Sequence, residues 1–162
     1  MQSFIEYFPE INPPITLTED LAITFSAQNK PFPAQIIAEI MSQWEKIDEF
    51  TELVPCFKLA TPGEFFALVY WKGSLMSHEY ILITISKDFN LLSKKVIAGT
   101  ISNGQTVKKS IANIDEQLNI NAVVGESKVD EKYNPQKSKA YNFEILPDGF
   151  IEASEEHNNL WQ

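Results

Sequence analysis

Two histidines, one cysteine and a scatter of carboxylates are the side chains here that could carry chemistry. His78 stands beside Glu79, and His157 follows Glu155 and Glu156. A histidine next to carboxylates suits proton transfer near neutral pH, or loose metal binding. Neither one has a second ligand at metal-site spacing, and both lie in polar stretches that preorganise nothing. Both read as solvated. Cys56 is the single cysteine, so no internal disulfide forms. Its neighbours in Val54–Leu59 are largely apolar, which predicts a buried, inert thiol.

Asp88, Asp115 and Asp148 fall in short turns between apolar-alternating runs. Paired carboxylates do acid–base work only when one concave site brings them together. Aspartates in hairpin turns already have a local role, because they bond the turn backbone. No Gly-x-Ser-x-Gly elbow, dinucleotide fingerprint or phosphate loop occurs among the six glycines. No catalytic residue, metal ligand or cofactor is predicted. The expected role is binding.

Charge suggests where. The chain has 22 acidic residues against 13 basic ones, net −9, and every basic residue is lysine. Without arginine's planar fork, and with this acidic balance, nucleic acid and anionic membranes are poor partners. Residues 1–66 hold ten of the acids and three lysines. The acids nearest the main helix, Glu39, Glu45, Asp48, Glu49 and Glu52, are the predicted contact set for a basic protein partner. Trp71 joins them, because Phe65, Phe66, Tyr70 and Trp71 make one strand apolar on both faces. Small acidic adaptors and toxin-neutralising immunity proteins share this composition. The alternative is a small-ligand-binding protein or enzyme with a pocket within a curved sheet. A homo-oligomer that pairs edge strands is a third reading.

The elements that position these residues follow from periodicity. Three times the second half repeats an alternating run, a turn and another alternating run: Tyr80–Ile85 with Leu91–Ile97, Val107–Ile114 with Leu118–Val124, and Ala140–Leu146 with Phe150–Ala153. Each reads as a β-hairpin. Val54–Ala60 and Phe65–Trp71, joined by Thr61-Pro62-Gly63, add two strands. Lys72–Glu79 and Glu126–Ser138 read as loops, and Asn103-Gly104 as a tight turn.

Pro33–Ile47 carries Ile36, Ile37, Ile40, Met41, Trp44 and Ile47 at helical spacing, which predicts one amphipathic helix over residues 33–47. Ile15, Leu17, Leu21, Ile23 and Phe25 alternate, suggesting a strand or hairpin, although Thr18-Glu19-Asp20 is also a helix start. The expected fold is α+β: an antiparallel meander of about six to eight strands, strongly curved or partly closed, with that helix on one face. Residues 1–162 are expected to form a single domain, with an extended N-terminal arm over 1–14 and a polar tail over 155–162. No leader-like start or apolar span is present, so a cytoplasmic location is expected.

Overall fold

The computed structural model describes residues 2–128 and 138–156. In chain order the elements are α1 (Gln2–Glu6), β1 (Ile15–Leu17), α2 (Glu19–Gln28), α3 (Ala34–Glu39), β2 (Glu52–Leu59), β3 (Phe65–Gly73), β4 (Ser77–Ser86), β5 (Leu91–Ser102), β6 (Thr106–Ile114), β7 (Asn119–Lys128), β8 (Lys139–Ile145) and β9 (Ile151–Glu156). From β2 to β9 every strand pairs antiparallel with the next. All three predicted hairpins are present, as β4–β5, β6–β7 and β8–β9.

The aspartate turns work as local chemistry. Asp115 Oδ1 accepts from the Gln117 and Asn119 amides at 2.9 Å, and Asp148 Oδ1 from Phe150 N at 3.0 Å. The loop expected over 72–79 shrinks to the turn between β3 and β4, so His78 belongs to a strand. Of the loop expected over 126–138, β7 takes the start, and residues 129–137 lie outside the described residues.

The sheet is neither closed nor strongly curled, against the sequence expectation. β2 and β9 are its two ends, and they do not pair with each other. The outer edge of β2 is occupied by the N-terminal segment instead. Lys58 N donates to the Pro9 carbonyl at 2.9 Å, and Asn29 Nδ2 donates to the Pro55 and Cys56 carbonyls at 2.8 and 2.9 Å. β5 and β6 share only the short stretch Gly99–Ser102 against Val107–Ser110. Beyond it, β1 takes over the same edge of β6, pairing Ile15–Leu17 with Ala112–Ile114.

The helices also depart from expectation. The predicted helix over 33–47 is only the six residues of α3, followed by a 3-10 turn at Met41–Gln43. Ile40, at φ −109° and ψ −62°, marks the change, and Pro33 sits just before the first helical residue. The longest helix is α2, where the helix-start signal prevails over the alternation. Thr18 is its N-cap residue, and Glu19 and Asp20 occupy the first turn, where carboxylates suit the helix dipole. The N-terminal arm is not fully extended. α1 forms because Phe4, Ile5 and Phe8 can bury one face before the prolines begin at Pro9. Of the polar tail expected over 155–162, Glu155 and Glu156 belong to β9 instead, and His157–Gln162 lie outside the described residues.

Both faces of the central strands are covered, as the pattern of β3 implies. Phe65, Ala67 and Val69 join a core with Leu17, Ala22 and Phe25 from β1 and α2. Leu68 and Tyr70 join a second core with Phe4, Phe8, Phe32, Ile36 and Met41. α2 and α3 therefore pack on opposite sides of the sheet. Among the described residues no helix is long and apolar enough to cross a membrane.

Candidate functional site

One row of the sheet gathers polar side chains beneath the start of α2. Register places Glu52 opposite Gly73, Gly73 opposite His78, and His78 opposite Thr100, across β2 to β5. The neighbouring row carries Trp71 opposite both Val54 and Tyr80. Side chains two residues apart share a face, so Trp71 and Gly73 point the same way. A Cβ at Gly73 would lie 2.8 Å from the Trp71 ring; the glycine gives the indole room to lie along the strand. The Trp71 and His78 rings sit 5.3 Å apart.

The first turn of α2 lies alongside. Tyr80 Oη donates to the Thr18 carbonyl at 2.6 Å, which fixes where the helix begins. Thr100 Oγ1 donates to Glu19 Oε1 at 2.8 Å, and His78 Nδ1 lies 4.0 Å from the same oxygen. The outcome is a groove of about 570 Å³ lined by Glu19, Asp20, Ile23, Glu52, Trp71 and His78, with small residues of α2 between them. None of the described residues that line it is a lysine. Ile23 is 70% exposed at its edge, and the β3–β4 turn adds Leu75 at 71%.

The residues singled out from sequence fare differently. Glu52 and Trp71 come together in the groove. Glu39 stands exposed on α3, on the opposite side of the sheet, where it accepts from Gln35 Nε2 at 3.3 Å. Asp48 and Glu49 are exposed, but Asp48 is engaged in its own turn, accepting from Phe50 N at 2.8 Å and Thr51 Oγ1 at 3.0 Å. These bonds hold the Asp48 carboxyl below its ordinary value.

Glu45 departs from the expected contact set: its side chain is buried and engaged within the chain. Burial alone would raise its carboxyl, but hydrogen bonds from Lys72, Lys94 and Tyr70 outweigh that and hold it below the usual carboxylate range. Cys56 is fully buried at a bulge in β2, and desolvation pushes its thiol well above the ordinary value. That is the inert thiol the sequence predicts. Glu19, Asp20 and His78 were not in the predicted contact set. The Thr-Glu-Asp helix start signalled the first two; nothing local signals that His78 faces them.

Chemically, the groove is suited to a cation. Carboxylates supply charge-assisted acceptors, and a half-buried indole offers a face to an ammonium or guanidinium group. The acids stand apart around the groove. Among the described residues no three His, Cys, Asp and Glu side chains are placed to hold a metal ion. Comparison with protein-family models, curated proteins and solved structures finds no match to this chain.

Proposed function

We infer that this is a non-catalytic protein-binding domain, and that the groove between α2 and the β2–β4 row receives a basic side chain of its partner. The reading is carried by one observation: three carboxylates, Glu19, Asp20 and Glu52, line one groove with Trp71, and none of the described residues that line it is a lysine. Apolar Ile23, Leu75 and Met76 are exposed at or beside that end of the sheet. An apolar centre with a charged surround is the anatomy of a specific interface. The acids steer a basic surface, and Trp71 anchors it. The contact set expected near α3 is thereby reduced to Glu52 and extended to Glu19 and Asp20. An acidic adaptor or an immunity-type inhibitor would work this way.

The test is affinity capture from native lysate at low and high salt with three proteins. These are the wild type, a groove variant (Glu19→Gln, Asp20→Asn, Glu52→Gln) and an α3-side variant (Glu39→Gln, Asp48→Asn, Glu49→Gln). A basic partner held at low salt, released at high salt and lost only from the groove variant supports the reading. A partner kept by the groove variant overturns the site. Loss only from the α3-side variant moves the interface to the opposite side of the sheet.

A further inference from the structure

A second concavity, which shares no lining residue with the acidic groove, lies across β4 to β8, and register explains it. Glu79, Gly99, Ser110, Val124 and Lys139 form one row across the five strands. On one side of this row, Lys108 stands opposite Glu126; on the other, Ala122 stands opposite both Ala112 and Tyr141. The next row is Ile114, Ile120 and Phe143. This face is therefore graded, from charged at one end to fully apolar at the other.

Small side chains occupy its middle, and the bulge at Ile97 turns β5 away beside them. A hollow of about 290 Å³ remains. Gly99 cannot fill it, since its φ is +141° and an added Cβ would meet the His78 carbonyl at 2.1 Å.

We propose that this hollow binds a small zwitterion with an apolar body, the chemistry of a free aromatic or branched-chain amino acid. The volume is at the lower end for small-molecule sites and holds one compact compound. Ala98, Ala122 and Phe143 are buried and offer an apolar seat. Around the other end the rim carries both signs, with Lys108 opposite Glu126. A ligand head of a single sign would find one complement there and one like charge. A head carrying both signs meets a complement for each.

The test is an NMR titration of the full chain with L-phenylalanine, 3-phenylpropionate and phenethylamine; each of the last two lacks one charge. L-Phenylalanine is expected to shift hollow resonances saturably and to bind about tenfold or more tighter than either single-charge analogue. Ser110→Phe, which fills the hollow, abolishes binding while the spectrum stays dispersed. Lys108→Met with Glu126→Met, confined to the rim, weakens L-phenylalanine about tenfold or more and narrows the gap to the analogues. That double variant carries the test if Ser110→Phe does not fold. No saturable shift with L-phenylalanine, equal affinity for the three compounds, or unchanged binding by both variants overturns the proposal.

Discussion

Lys94 Nζ lies 2.5 Å from Glu45 Oε1 and also donates to the Trp44 carbonyl at 3.0 Å, so one lysine of β5 fastens the end of the α3 segment to the sheet. Lys72 of β3 meets Glu45 Oε2 at 2.7 Å, and Tyr70 Oη donates to Oε1 at 2.7 Å. Trp44 Nε1 in turn donates to Tyr70 Oη at 3.2 Å. The Glu45 side chain is 1% exposed. Desolvating a carboxylate is costly, and here charge-assisted donors on both oxygens offset that cost.

Glu45→Gln is expected to destabilise the fold by about 3 kcal/mol in urea titration, because two lysines lose their counter-charge while the shape is kept. The pH dependence has a definite sign. A carboxyl held below its ordinary value of 4.5 contributes stability that is complete above that pH. The contribution is lost as pH falls through the depressed folded value. Acid unfolding of Glu45→Gln should lack this component, so the two stability curves converge at low pH.

Tyr70→Phe keeps the ring volume but takes one donor from Glu45 and the acceptor from the Trp44 indole. The expected cost is about 1–2 kcal/mol. In a double-mutant cycle with Glu45→Gln the effects should be non-additive by roughly 1 kcal/mol, since the two residues share one network. Additive losses would show that they act separately.

Cys56 should resist a thiol reagent in the native protein and react fully in denaturant. It is 0% exposed, and burial disfavours the thiolate that reacts. A native labelling rate matching the denatured rate would contradict this packing.

Asn29→Ala should cost about 1–2 kcal/mol by thermal or chemical melting. It removes the two bonds that satisfy the Pro55 and Cys56 carbonyls on the outer edge of β2. Asn29→Asp, which turns a carboxylate toward the same two carbonyl oxygens, should cost at least as much.

The hairpins were legible because period-two alternation and turn chemistry agree at each of them; Asp115 and Asn103-Gly104 both lie where the chain reverses. α2 was harder. Leu21, Ile23 and Phe25 alternate as in a strand, yet Ala22 and Phe25 turn inward while Ile23 stays exposed. Tertiary packing decided between two local signals of similar strength.

The break at Ile40 was not visible, because the apolar spacing continues through Met41 and Trp44. That break lets Glu45 point into the protein. Its partners, Lys72 and Lys94, are separated from it by stretches of sequence with no shared pattern. The groove was half legible for the same reason: Glu52 and Trp71 stood out locally, whereas Glu19 and His78 meet only through the register of β4 and β5.

β1 joins residues far apart in sequence, with the Thr16 and Asn113 side chains bonded across 97 positions. During synthesis on the ribosome, β2 to β5 can assemble hairpin by hairpin as they emerge, while the docking site for β1 does not yet exist. The N-terminal stretch is thus the first segment made and, at β1, one of the later ones seated. In pulsed hydrogen exchange during refolding, amides of β3 and β4 should gain protection before those of Ile15–Leu17.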